Sequence, residues 1–156
     1  MTDPAPAPAP SPMDLAFAEA EKAAARGEVP VGAVVVDPVT GHVLGAAGNR
    51  TEELSDPTAH AEILAIRQAA AALNSPRLPG LDLFVTLEPC AMCAGAISFA
   101  RLRRVYFAAY DPKGGAVDHG PRFFQQPTCH HAPDAYGGFG EERAAMLLRD
   151  FFKDRR

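Results

Sequence analysis

This sequence predicts a layered α/β domain with a mixed sheet, and three patterns carry that expectation. Residues 29–47 read as an antiparallel hairpin, residues 81–109 as a strand-helix-strand unit, and amphipathic segments of helical length accompany both. The 156 residues suit a single domain, and a hydrophobic content of 47% provides for a core without any apolar run long enough to span a bilayer.

Asp3 to Pro12 alternates proline and alanine, a composition that favours extended backbone and has no large side chain to bury. Residues 1–12 are therefore expected to form a disordered Pro/Ala-rich tail ahead of a folded domain at 13–156. Ser11, Pro12 and Asp14 make a helix start, with Ser11 as cap, Pro12 in the first turn and Asp14 returning the capping hydrogen bond. The helix should run from Met13 to Arg26 and end at Gly27.

Val29 to Val36 is rich in β-branched residues, Asp37 to Gly41 carries turn residues, and His42 to Ala47 resumes the apolar pattern. A second helix is expected from the Asp56–Thr58 region to Leu73, with Ile63, Ile66, Ala70 and Leu73 on its buried face. Leu81 to Leu87 reads as a strand, Pro89 opens a third helix reaching Ala100, and Arg104 to Ala109 is a strand parallel to the first. Residues 111–140 are rich in Gly, Pro and His without periodicity, so an ordered loop with at most one short helix is expected there. From Glu141 a last helix should bury Ala144, Leu148, Phe151 and Phe152.

The N-terminus lacks the basic start and apolar stretch of a secretory leader, so a cytoplasmic location with no membrane contact is expected. Three cysteines are then reduced thiols, which disfavours a disulfide framework and leaves metal binding or redox chemistry. The net charge of −4 does not itself announce a nucleic-acid partner. Its distribution is uneven: residues 1–62 hold ten acidic and three basic side chains, residues 63–156 nine and twelve. The basic excess gathers at Arg143, Arg149, Lys153, Arg155 and Arg156, with a second group at Arg101, Arg103 and Arg104. A solvated helix face accounts for such a run as well as a phosphate-binding one does.

The most specific signal is the pair of segments His60-Ala61-Glu62 and Pro89-Cys90-Ala91-Met92-Cys93, each expected at a helix N-terminus. Zinc takes nitrogen and sulfur ligands in a tetrahedron, and a catalytic zinc keeps one position open. His60, Cys90 and Cys93 would fill three positions. Helix N-termini lower thiol pKa values, so both sulfurs are expected as thiolates. Residues two apart on a helix differ by about 200° around its axis, so His60 and Glu62 can converge only beyond the helix end. The metal should therefore sit between the N-termini of the second and third helices. There Glu62, not needed as a ligand, would shuttle protons for a water activated by zinc, the role known for this signature in zinc deaminases of nucleobases.

Other readings stay open at this level. Cys-x-x-Cys at a helix start also suits a redox pair, although that gives His60 and Glu62 no task. A closed structural zinc site, as in a non-enzymatic interaction module, would need a fourth ligand, for which Cys129, His130 and His131 are the crowded candidates. A zinc deaminase of a free base or nucleotide, such as guanine or cytosine, needs no basic C-terminus.

From Leu15 to Arg156 the chain resembles the bacterial tRNA adenosine deaminases of the cytidine deaminase superfamily. The matching blocks are Glu28–Ala33 (EVPVGA), Gly48–Arg50 (GNR), Asp56–Ile63 (DPTAHAEI), Thr86–Ile97 (TLEPCAMCAGAI) and Asp150–Arg156 (DFFKDRR). The resemblance implies a three-layer α-β-α cytidine deaminase-like fold with a mixed central sheet, and one Zn2+ per chain on His60, Cys90 and Cys93. It implies Glu62 as the catalytic proton shuttle, and hydrolytic deamination of the wobble adenosine of a tRNA anticodon to inosine. Asn49 matches the asparagine that hydrogen-bonds the extruded base, whereas on its own it reads as a turn residue after the hairpin. Lys153, Arg155 and Arg156 are candidate contacts to the tRNA anticodon stem-loop, and a homodimer is implied. Residues 114–140 depart from the family pattern, and 127–138 lacks the alternation of the family's last strand. Phe123, Phe124, His130 and His131 are only candidates for RNA contact there, and at least one phenylalanine is expected in the core.

Overall fold

A computed structural model describes residues 2–6, 8–153 and 155. Helix α1 (Pro12–Ala25) opens with the expected reciprocal cap: Ser11 Oγ accepts from Asp14 N–H at 3.1 Å and Asp14 Oδ2 from Ser11 N–H at 3.0 Å. Strands β1 (Gly32–Val36) and β2 (Val43–Gly48) form the antiparallel hairpin. Helix α2 (Ala61–Leu73), strand β3 (Asp82–Leu87), helix α3 (Ala91–Ala100) and strand β4 (Arg104–Ala109) follow. A single 3-10 turn at Phe123–Gln125 precedes strand β5 (Asp134–Gly137) and helix α4 (Glu141–Lys153).

The sheet order is β2-β1-β3-β4-β5, with β1 antiparallel to β2 and β3, and β4 parallel to β3 and β5. One face packs Ala33, Val35, Leu83, Val85, Val105 and Phe107 against α2 and α3, through Ala61, Ala65, Ala69 and Ile97. The other face packs Val34, Val36 and Ala108 against Met13, Ala16 and Phe17 of α1 and Ala144 of α4. The result is the expected three-layer α-β-α arrangement. No described helix is long and apolar enough to cross a membrane.

Four local expectations are corrected. The segment 56–58 is a turn ahead of α2, because Thr58 N–H and Oγ1 both donate to Asp56 Oδ1, at 2.8 and 2.7 Å. The buried face of α2 is Ala61, Glu62, Ala65 and Ala69, while Leu73 is exposed and Ile63, Ile66 and Ala70 are half-buried. Small residues face the sheet because the helix lies close to it: a Cβ at Gly45 of β2 would come within 2.2 Å of the Ala65 carbonyl oxygen.

Residues 134–137 form an edge strand that the sequence pattern did not show. It is four residues long, pairs on one side only, and is anchored by Tyr136 stacking on Tyr106 at 5.5 Å between ring centres. In α4, Ala144 and Phe151 are buried as expected, but Phe152 is exposed, with its ring edge-on to Phe151. Phe123 and Phe124 are both half-buried, and Phe124 packs against the core.

Candidate active site

His60 and Cys90 are the cap positions of α2 and α3, and Glu62 and Cys93 lie in the first turns. Neither cap side chain bonds to its own helix, since both are turned toward one another. Asn49, just past β2, takes over one cap: its Oδ1 accepts from Ala61 N–H at 2.9 Å. Asn49 is itself fixed by Asn49 N–H to the Val31 carbonyl at 3.1 Å and by Arg26, which donates to its carbonyl at 3.2 Å. Asn49 thus caps α2 and stands on the cavity wall, while the turn that follows the hairpin begins at Thr51.

His60 Nδ1 lies 3.6 Å from Cys90 Sγ and 3.5 Å from Cys93 Sγ, and the three ligand atoms all fall within 4.8 Å of one another. Zinc bonds of about 2.05 Å to nitrogen and 2.3 Å to sulfur at a tetrahedral angle would set nitrogen and sulfur roughly 3.5–3.6 Å apart. The donor set therefore fits zinc in both chemistry and spacing. The possible fourth protein ligands lie elsewhere: Cys129 Sγ is 3.4 Å from Ser98 Oγ, and His131 Nε2 is 2.8 Å from the Leu102 carbonyl, at the C-terminal end of α3.

Without a metal between them, the two thiols differ. Cys90 is held down to about 4 by the hydrogen bond from the Cys93 thiol, with burial opposing and His60 assisting. Cys93 is pushed up, first by that same shared hydrogen and then by its complete burial. The opposite directions belong to one coupled pair, and binding a metal as two thiolates displaces the hydrogen between the sulfurs. His60 is raised by its hydrogen bond with Cys90, against the effect of burial. Glu62 is raised by burial, so its carboxyl keeps a proton more readily than an exposed glutamate.

A cavity of about 330 Å³ opens beside these groups, walled by His60, Glu62 and Cys90, by Asn49, by Val29, Val31 and Leu87, and by Glu88, Asp111 and Gly114. This lies near the low end of small-ligand sites, roughly 300–1,000 Å³, and admits one base. Sequence reasoning missed its hydrophobic wall and Glu88, although Glu88 stands in the quoted TLEPC block as an acidic residue between strand and helix. Burial would raise the Glu88 carboxyl, but the N–H groups of Asp111, Asp118 and Val117 and the His119 ring outweigh it and hold the group below the ordinary range.

Of the foreseen substrate contacts outside the cavity, Lys153 is exposed beside Leu148, Arg149 and Phe152. Arg155 folds back over the Phe151 ring at 3.7 Å and donates to the Phe151 carbonyl at 3.2 Å. Its guanidinium would be 3.6 Å from a Cβ at Gly27, so it lies beside the chain that leads into Val29 and Val31 of the cavity. Arg156 lies outside the described residues.

Residues 9–109 match the model of the cytidine and deoxycytidylate deaminase zinc-binding region. A protein of Agrobacterium fabrum named tRNA-specific adenosine deaminase is 62% identical over 134 residues, 86% of this chain and 87% of the relative. A solved structure from work on A-to-I editing by tRNA:A34 deaminases at the wobble position of transfer RNA superposes with a TM-score of 0.85 at 61% identity, covering 88% of this chain and 98% of that one. A guanine deaminase structure from Bacillus subtilis superposes with a TM-score of 0.61 at 37% identity, over 64% of this chain and 62% of that one. The chain therefore belongs to the zinc-binding cytidine and deoxycytidylate deaminase family, and within it to the group of the tRNA-specific adenosine deaminases.

Proposed function

We propose that this chain hydrolytically deaminates the wobble adenosine of a tRNA anticodon to inosine. The observation that carries the reading is the cavity of about 330 Å³, in which a buried carboxyl, a set of zinc-ligand type and an amide face one base-sized space. The 62% identity to a tRNA-specific adenosine deaminase selects the substrate class. A polymer can reach so small a space only by presenting one extruded base.

In this reading His60, Cys90 and Cys93 hold the zinc. When bound, zinc supplies Lewis acidity that makes water nucleophilic near neutral pH. Glu62 is the catalytic residue: its carboxylate takes a proton from the water that adds to C6 of adenine and delivers it to the ring nitrogen. It then takes the remaining proton from the hydroxyl now on C6 and passes it to the amino group, so that the C6–N bond breaks, ammonia leaves and the C6 carbonyl forms. Asn49 Oδ1 is occupied by Ala61 N–H, which leaves Nδ2 to donate to a ring-nitrogen acceptor on the base. Val29, Val31 and Leu87 pack the base and displace water from it.

Lys153, Arg155 and Arg156 are assigned to phosphates of the anticodon stem-loop. The active unit is a homodimer, as the family resemblance implies, and the apolar groove between α2 and α3, with Ile63, Met92, Phe99 and Phe123 on its walls, is assigned to the second copy of the chain. The reaction takes place in the cytoplasm, where tRNA is modified.

The test is to incubate pure protein in parallel with an anticodon stem-loop, free adenosine, cytidine and guanine. Inosine in the stem-loop alone is expected. A second reading, deamination of a free purine, draws on the 37% identity to the guanine deaminase; turnover of free guanine without turnover of RNA would replace the first reading by this one.

A further inference from the structure

Glu88 lies directly after β3 and two residues before Cys90, and its side chain is fully buried. Its Oε2 accepts from three consecutive main-chain N–H groups, Val117 at 3.1 Å, Asp118 at 3.0 Å and His119 at 3.2 Å. Oε1 accepts from Asp111 N–H at 3.0 Å and lies 2.8 Å from His119 Nδ1. Successive amides converging on one point form an anion nest, a concavity that elsewhere captures external phosphates or carboxylates. Here the chain fills its own nest.

The loop so gathered is part of the cavity wall, through Asp111 and Gly114. Asp111 Oδ1 tightens the turn by accepting from Lys113 N–H at 3.2 Å and Gly114 N–H at 3.0 Å. The approach is so close that a Cβ on Gly115 would lie 2.4 Å from the Glu88 carboxylate and 2.6 Å from the Asp111 carbonyl. Main-chain bonds also tie the loop to this strand end, Glu88 N–H to the Ala109 carbonyl at 2.8 Å and Ala116 N–H to the Pro89 carbonyl at 2.9 Å, but among the described residues the Asp111 N–H has only the Glu88 carboxylate as acceptor.

We propose that Glu88 is a positioning residue for the substrate: by filling the nest of amides it sets the Asp111–Gly114 wall of the cavity. Glu88 borders the cavity, but both its carboxylate oxygens are engaged by the loop, so it acts through the loop. The proposal rests on the deaminase reading above only for the substrate used in its test.

The geometry specifies what a conservative change does. Every group facing the two oxygens is a donor, apart from the His119 ring, which can accept by changing tautomer. In Glu88→Gln the amide oxygen can keep the three N–H groups of 117–119, but the NH2 group then opposes Asp111 N–H. The Asp111 end is released and the His119 end stays.

The experiment compares wild type, Glu88→Gln and Gly115→Ala by hydrogen exchange of peptides spanning 110–120, by zinc content, and by steady-state kinetics on the anticodon stem-loop. In Glu88→Gln, exchange at 111–114 is expected to rise on the order of 10-fold and KM about 10-fold, with kcat within about 3-fold and zinc unchanged. Gly115→Ala displaces the same loop while leaving the carboxylate in place, should raise KM in the same way, and serves alone if the Gln variant does not fold. Unchanged exchange, or faster exchange with unchanged KM, overturns the proposal. So does loss of zinc with collapse of kcat, which would assign Glu88 to the metal centre. If wild type deaminates only a free base, the tRNA reading falls, and the same kinetic comparison on that base still decides the role of Glu88.

Discussion

At the N-termini of α2 and α3, three ligand atoms sit within 4.8 Å of one another, and main-chain hydrogen bonds from β-strand ends and buried carboxylates hold the surrounding loops. At the far end of α4, Lys153 is exposed and Arg155 lies over Phe151, its guanidinium held by one ring contact and one hydrogen bond. The difference matches the two roles proposed for these regions. Bond making demands positions fixed to a fraction of an ångström, which burial and backbone ties provide. Attraction of a phosphate chain demands only charge at the right distance, which an exposed cation on an anchored helix supplies. Changes in the first region should act on metal and turnover, and changes in the second on affinity and its salt dependence.

Cys90→Ala should have the largest effect, since it removes one of three ligands: zinc and turnover are lost together, as read by elemental analysis and a deamination assay. A variant that kept both would break the distinction. Truncation after Phe152 comes next. It removes Lys153, Arg155 and Arg156, and should weaken stem-loop binding and flatten the log-log salt dependence by roughly 0.7 for each phosphate no longer neutralised. Zinc content and thermal stability should stay near wild type, and equal slopes across a salt series would reduce the basic end to a solvated terminus.

Gly45→Ala tests whether close packing of α2 serves the chemistry. The added Cβ would lie 2.2 Å from the Ala65 carbonyl, so the helix bearing His60 and Glu62 must shift, at a cost of about 1–3 kcal/mol. Denaturant unfolding should show that loss, and kcat should fall while RNA affinity holds. The smallest effect belongs to Ser11→Ala, which removes the α1 cap far from both regions. It should cost about 1 kcal/mol in unfolding free energy and leave kcat and affinity unchanged.

Legibility in the sequence followed the range of the interactions. The Ser11–Asp14 cap, the hairpin and β4 were readable because their signals lie within a few neighbouring residues. The convergence of His60 with Cys90 and Cys93 was readable because residue types and helix-start positions leave few alternatives. Strand β5 was not, since its pairing depends on β4, 30 residues earlier, and on the Tyr106–Tyr136 stack and not on any alternation of its own. The α2 face was misplaced because tight packing selects alanines over the larger Ile63 and Ile66, reversing the usual hydrophobic reading. Glu88 was overlooked since its partners, Asp111 and Val117–His119, are more than twenty residues away and use main-chain atoms that a sequence does not mark.

The division of labour within the cavity is tested most directly by Glu62→Ala, assayed for zinc content and single-turnover rate on the anticodon stem-loop in the same preparation. With His60, Cys90 and Cys93 as the ligand set and Glu62 moving protons, zinc should remain near one per chain while the rate falls about 10²- to 10⁴-fold. Loss of zinc comparable to that of Cys90→Ala, or a rate close to wild type, would contradict it.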